Sequence, residues 1–204
     1  MALRLHLASA SPRRLALLRE AGLDPIPRPT GIPECWLPPE SPVEHVLRLA
    51  REKGRHALER LRADGEAGLV LAADTAVVLD DEILGKPEHA ADAERMLRRL
   101  SGRTHRVLTG VFVARVEDSR CASAVDETRV TFRGFGEDEV VRYVETGEPL
   151  DKAGAYGIQG LGGALVLAVD GSISNVVGLP LEDLPGLFRK VGAPWPEGPA
   201  FVRT

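Results

Sequence analysis

The segment Ser9-Ala10-Ser11-Pro12-Arg13-Arg14 places two arginines where a helix begins, the end at which the helix dipole favours acids. Leu3 to Ala8 reads as a short strand, Ser11 as an N-cap, Pro12 as the first helical residue and Gly22 as the stop. Arginine in that turn forgoes about 0.3 to 1 kcal/mol that an acid there supplies. An anionic ligand reverses the sign. Free backbone N–H groups, the Ser9 and Ser11 hydroxyls and two guanidinium forks then converge as a phosphate chain requires. Without such a ligand the same residues are two solvated arginines behind an ordinary cap.

Asp74 interrupts an apolar strand run, where a carboxylate is expensive unless it is paired, metal-bound or protonated. It is the strongest candidate for a base; the competing reading is a strand-end aspartate that caps the next element. Thr75 beside it either lines a pocket or serves as an ordinary β-branched strand residue. Lys86, between Gly85 and Pro87, offers a point charge to phosphate, or is a solvated turn lysine. Lys53 flanks the apolar face of a long helix, from which it reaches over a groove or merely snorkels. Glu34 lies in a proline-bounded loop whose stiffness suits a metal-holding carboxylate, although loop glutamates commonly face solvent. The stretch Asp151 to Gly160 combines charge, Tyr156, Gln159 and three glycines, a composition shared by recognition loops and by glycine-rich hairpins. Gln159 carries both a donor and an acceptor, which suits an amide-like base edge.

The elements that must position these groups alternate early and pair directly later. Ser41-Pro42-Val43-Glu44 is a capping box that opens a helix with Val43, Val46, Leu47, Ala50, Ala57, Leu58 and Leu61 on one face and Lys53 at its margin. Leu69 to Leu79 reads as a buried strand, Asp80-Asp81 as a turn, and Ile83-Leu84 as the returning strand. Helices are expected over Ala90 to Leu100, Glu137 to Glu145 and Pro180 to Lys190, and strands over Val107 to Val116, Val125 to Phe132 and Ala164 to Val169. That order favours an α/β fold with a mixed sheet.

With 204 residues and 44% hydrophobic content the chain can bury a proper core. No apolar run reaches membrane-span length, and the start lacks the basic and apolar regions of a signal peptide, so a cytoplasmic protein is expected. Cys35 and Cys121 are too few for a disulfide framework and lack metal-ligand spacing. A net charge of -4 argues against a general nucleic-acid or membrane-surface binder while leaving room for a local basic pocket.

Six motifs in order carry a resemblance: Leu7 to Arg14, Ala73-Asp74-Thr75, Gly85-Lys86-Pro87, Leu100-Ser101-Gly102 with His105 and Thr109-Gly110-Val111, Asp151 to Gly160, and Asn175 to Pro180. Together they closely resemble the Maf family of nucleoside triphosphate pyrophosphatases, over about residues 3 to 191. The resemblance implies an elongated mixed sheet flanked by helices, with two lobes framing a cleft, similar to the inosine triphosphate pyrophosphatases. It implies one such domain over residues 1–192; the Pro-rich tail over 193–204 lies outside the resemblance and reads from its composition as a loosely docked extension. It also implies hydrolysis of a nucleoside triphosphate to the monophosphate and pyrophosphate in the cytoplasm, with a divalent cation, magnesium or manganese. No nucleic-acid or membrane partner is implied, and a homodimer is compatible with it.

Carried over by position, Asp74 matches the family's proposed catalytic acid/base, and Arg13, Thr75 and Gln159 match positions linked to substrate choice. Ser9, Arg14, Glu34, Lys53 and Lys86 match polar residues of the family's cleft, with Glu34 and Asp74 as the metal-holding pair. The pairing of Ala73-Asp74-Thr75 with Asp151-Lys152-Ala153-Gly154 looks like the branch acting on dTTP and UTP. Two departures stand out: the loop Gly31 to Trp36 lacks the family's acidic, serine-containing pattern, and the family's lysine-alanine pair is Lys53-Gly54 here. The alternatives are a nucleotide-binding regulator of septum formation acting through a partner, and a pyrophosphatase for 7-methyl-GTP or damaged purines.

Overall fold

The computed structural model describes residues 4–118 and 120–196; Leu3, the first residue of the expected opening strand, and residues 197–204 of the expected tail lie outside them. The chain runs β1 (Leu5–Leu7), α1 (Pro12–Glu20), β2 (Ile26–Pro27), α2 (Pro42–Ala63), β3 (Leu69–Leu79), β4 (Glu82–Leu84), α3 (Ala90–Leu100), β5 (Thr104–Arg115), β6 (Cys121–Phe132) and α4 (Glu137–Glu145). Three short 3-10 turns then lead to β7 (Val166–Asp170), α5 (Ile173–Val177) and α6 (Leu184–Lys190). The seven strands form one mixed sheet in the order β2-β1-β3-β5-β6-β7, with β4 also on β3. The α/β expectation therefore holds.

β3 is the spine. Leu69 to Val78 pair antiparallel with β5 on one edge. On the other edge β1 pairs in parallel with Leu69 to Leu71, and β4 pairs antiparallel with Val77 to Leu79. Between them Ala72 to Ala76 have no strand partner on that edge among the described residues, so the sheet opens there.

Strand alternation divides the cores. Leu69, Leu71 and Ala73 face α1 and α6 with Leu18 and Phe188, whereas Val77 and Leu79 face α3 and α4 with Leu97 and Val144. The even-numbered Val70, Ala72, Ala76 and Val78 face α2 on the opposite side. α2 approaches the sheet closely: a β-carbon at Gly110 would overlap the Val46 carbonyl, and one at Gly54 would overlap the Phe112 ring. Phe112 thus fills the space that an alanine at position 54 would need.

Several boundaries differ from the sequence reading. The buried stripe of α2 is Val46, Leu49, Ala50, Lys53, Ala57, Leu58 and Leu61, with Val43 exposed and Leu47 at the edge. Lys53 stands in the middle of that stripe, since one turn from Ala50 and one from Ala57 both lead to it. β2 and α5 were not expected because two and five residues give no usable period. The start of the tail is docked, with Trp195 edge-on to Phe188 at 5.0 Å between ring centroids. No helix among the described residues is long and apolar enough to cross a membrane.

Candidate active site

The gap in the sheet edge opens into a cleft of about 180 Å³. Asp74 and Thr75 sit at its centre and, being adjacent on a strand, turn to opposite faces. Asp74 points toward α2, where Lys53 Nζ donates to Asp74 Oδ1 at 2.6 Å and to Glu34 Oε1 at 2.5 Å. Lys53 and Asp74 are both only 6% exposed, whereas the Glu34 side chain is 53% exposed. Asp74 Oδ2 makes no hydrogen bond with any described residue. Burial pushes the Glu34 carboxyl up, but the Lys53 hydrogen bond and the charges of Lys53, Lys86 and Arg14 together hold it below its ordinary value.

Thr75 points the other way, toward α1. Ser11 caps that helix as expected, its hydroxyl accepting from the Arg14 backbone N–H. The Arg14 side chain is buried and meets only neutral oxygens. Its Nε donates to the Gly178 carbonyl at 2.8 Å, Nη1 to Ser9 Oγ at 3.1 Å and Nη2 to Thr75 Oγ1 at 3.0 Å. Gly178, at φ 126°, ends α5 in a conformation that other residues rarely adopt, and this turn presents its carbonyl to Arg14. Burial lowers the Arg14 guanidinium below its usual range, opposed by the charges of Asp74 and Glu34. Two of its five N–H donors remain unspent.

Arg13 reaches across the cleft to Asp151 Oδ2 at 3.2 Å, and Lys152 Nζ holds Asp151 Oδ1 at 2.6 Å. Those contacts hold the Asp151 carboxyl below its ordinary value, the Lys152 hydrogen bond contributing most. Lys86 lines the cleft and makes no ion pair with a described residue. Every cleft carboxylate therefore has a cationic partner, and the uncompensated positive charge sits at Arg14 and Lys86.

The cleft also has an apolar lining of Val77, Val107, Tyr156, Ile158 and Val176, and Gln159 lines it as an exposed residue. Tyr156 is buried, and its hydroxyl is hydrogen-bonded to His105 Nε2 at 2.9 Å. Burial pushes the His105 imidazole down to about 4. Glu148 organises the Gln159 loop: Oε1 accepts from Tyr143 Oη and the Gly162 N–H, and Oε2 from the Leu161 N–H.

Of the residues singled out from sequence, Arg13, Arg14, Glu34, Asp74, Thr75, Lys86 and Gln159 line this cleft. Lys53 joins them through Glu34 and Asp74. Ser9 does not line it; its hydroxyl stands behind Arg14 and also accepts from the Ser11 N–H. Thr75 contributes its hydroxyl to Arg14, Thr109 and Gly178, so its placement differs from that of a free base-reading group. Glu148 and Tyr143 escaped the sequence reading, because their role is contact with a loop 13 and 14 residues away and has no local signature.

Glu34 and Asp74 direct one oxygen each at a single point, now held by the Lys53 ammonium. Two converging carboxylate oxygens suit a hard divalent cation that takes its remaining ligands from water and phosphate. Such an ion fits these two carboxylates once it displaces the Lys53 ammonium from between them. Among the described residues no cluster of three or more His, Cys, Asp or Glu is placed to hold a metal by protein ligands alone.

An α/β sheet broken at one edge, with a cleft lined by surplus cations and by apolar side chains, suits a nucleotide-sized anion. The chain belongs to the Maf-like protein family, whose model matches residues 4–191. A relative from Anaeromyxobacter dehalogenans (strain 2CP-C), named dTTP/UTP pyrophosphatase, is 54% identical over 96% of this chain and 98% of its own. Another of that name from Escherichia coli O157:H7 is 49% identical over 93% of each chain. A solved nucleoside-triphosphatase / dITP/XTP pyrophosphatase from Mycobacterium abscessus aligns at 19% identity and TM-score 0.38, covering 64% of this chain and 74% of its own.

Proposed function

We propose that this protein hydrolyses nucleoside triphosphates, dTTP and UTP foremost, to the monophosphate and pyrophosphate, clearing them from the cytoplasmic nucleotide pool. The observation that carries the reading is a buried carboxylate, Asp74, next on its strand to Thr75, whose hydroxyl holds the uncompensated buried guanidinium of Arg14. A sensor of nucleotides needs the guanidinium but has no use for the acid. Relatives that share about half of the sequence and bear the name dTTP/UTP pyrophosphatase support the choice of bases.

In this reading the triphosphate lies against Arg14 and Lys86, with Arg13 exchanging Asp151 for a phosphate oxygen, and the pyrimidine lies against the apolar lining of Val77, Val107, Tyr156 and Val176. Gln159 offers its amide to the base edge. Asp74 holds a water through its free Oδ2 in line with the α-phosphorus. As that water attacks, the bond from the α-phosphorus to the α–β bridging oxygen breaks, pyrophosphate leaves, and the water's proton passes to Asp74. Arg14 meets the charge that develops on the phosphate oxygens with its two unspent N–H groups. Glu34 and Asp74 would hold a divalent cation, which would supply further neutralisation of phosphate charge.

Pyrophosphate release from a panel of triphosphates, with magnesium, with manganese and with chelator, tests the proposal. Turnover of dTTP or UTP that needs a cation is expected. Orthophosphate as first product, or no turnover of any nucleotide, overturns it.

A further inference from the structure

Thr109 is fully buried on β5, outside the cleft lining, and no role falls to it in the chemistry above. Its register partner is Thr75. The two side chains therefore share one face of the sheet, and their hydroxyls lie 2.8 Å apart. Thr75 Oγ1 in turn accepts from Arg14 Nη2 at 3.0 Å. Each threonine proton has a carbonyl within reach: Asn175 O lies 3.4 Å from Thr109 Oγ1, and Gly178 O 3.4 Å from Thr75 Oγ1. Both carbonyls belong to α5 or its final turn. Whichever way the threonine protons run, Arg14 finds an oxygen acceptor whose position is fixed from behind.

We infer that Thr109 is a positioning residue for the phosphate clamp: through Thr75 it sets the orientation of the Arg14 guanidinium. The motif Thr109-Gly110 thereby gains two separate tasks. Gly110 admits α2 with Lys53 on one face of the sheet, and Thr109 aligns Arg14 on the other. A carbon in place of the Thr109 hydroxyl cannot sit 2.8 Å from an oxygen without contact strain, so Thr75 Oγ1 must move and Arg14 with it. The effect is on phosphate and is the same whatever the base. This inference rests on the reading of the cleft as a triphosphate site.

The test compares Thr109→Val, which keeps the shape and loses the hydroxyl, with Thr109→Ser, which keeps the hydroxyl and loses a methyl. Both disturb a buried position, so a purely structural role predicts activity losses that follow their melting temperatures. The inference predicts divergence. Thr109→Val loses about 10- to 100-fold in kcat/KM, by the same factor on dTTP, UTP and every other accepted nucleotide, as sub-ångström misplacement of a binding group implies. Thr109→Ser stays within about threefold of the parent.

A second arm uses inorganic pyrophosphate binding by calorimetry, which needs Arg14 but not hydrolysis. Weakened binding in Thr109→Val and retained binding in Thr109→Ser support the inference even where the parent fails to hydrolyse any nucleotide, an outcome that removes only the proposed activity. Equal behaviour of the two variants, or parent-like kcat/KM in Thr109→Val, overturns it. A parent that neither binds pyrophosphate nor hydrolyses a nucleotide overturns both.

Discussion

Replacing Lys53 with methionine keeps the volume of the side chain and removes the charge that partners Asp74. The two groups are 2.6 Å apart, and their side chains are 8% and 9% exposed. At that distance their attraction is about 6 kcal/mol for an effective dielectric near 20, most of it spent against desolvation. Removing one partner alone leaves an uncompensated buried carboxylate and costs about 3 to 5 kcal/mol. That is a fifth or more of the roughly 5 to 15 kcal/mol that holds a domain together. Replacing both partners, as Lys53→Met with Asp74→Asn, restores most of the loss, because a neutral pair need not be solvated. Glu34→Gln, by contrast, breaks a pair with one exposed member and changes stability by about 1 kcal/mol or less.

The assay is urea unfolding followed by circular dichroism, without nucleotide or divalent cation, for the parent, both single variants and the double variant. Midpoints and slopes together show whether the native state is otherwise unchanged. A coupling energy of at least about 2 kcal/mol between positions 53 and 74 is expected. A Lys53→Met protein within about 0.5 kcal/mol of the parent, or single losses that simply add, refutes the claim that Lys53 neutralises a buried base.

Gln159→Glu removes a donor and adds charge to the cleft lining, so the ratio of kcat/KM on dTTP to that on purine triphosphates should shift by about 10-fold or more; an unchanged ratio removes Gln159 from base choice. His105 is held neutral by burial, with its imidazole at about 4 against an ordinary 6.5. Its stabilising contribution is therefore complete above pH 6.5 and is lost as pH falls toward 4, by up to about 3 kcal/mol. His105→Gln should flatten that limb of a stability-against-pH curve, and superimposable limbs would exclude the assignment. Arg14→Met exchanges three hydrogen bonds from a buried cation for relief of its desolvation, so stability should stay within about 2 kcal/mol while activity falls by at least about 10²-fold. An unfolding midpoint that collapses instead would make Arg14 a structural residue.

How far the sequence reveals this site depends on whether the signal is local. The Ser11 cap, the Ser41 capping box and the hairpin at Asp80-Asp81 are each written within four residues, and each stands where it was expected. The partners of Arg14 are not local: Ser9 is five residues away, Thr75 61 and Gly178 164. Nothing in the first helix announces a carbonyl from the end of α5. Lys53 is an intermediate case. The spacing Val46, Ala50, Lys53, Ala57, Leu61 puts a charge at the centre of a buried stripe, and a partner buried with it is then required. Placing it at the margin of the face missed that requirement.

The gap in the sheet edge depends on registers that no short window contains, yet the division of labour across it follows from the pleat alone. Adjacent strand residues point to opposite faces, so Asp74 and Thr75 must address different helices. A helix packed on one face can deliver a lysine only to Asp74, and one packed on the other can deliver an arginine only to Thr75. The base and the phosphate clamp are thereby kept from neutralising each other directly, although one peptide bond separates their strand positions. Arg14 has only neutral acceptors because the nearest carboxylate is turned away and already held by Lys53. Its charge remains available to a ligand for that reason. A one-residue slip of β3 would exchange the two faces, turning the Asp74 carboxylate to the side of the sheet that holds Arg14 and the Thr75 hydroxyl to the side that holds Lys53. The long antiparallel ladder between β3 and β5, anchored by the close approach of α2 at Gly110, opposes that slip.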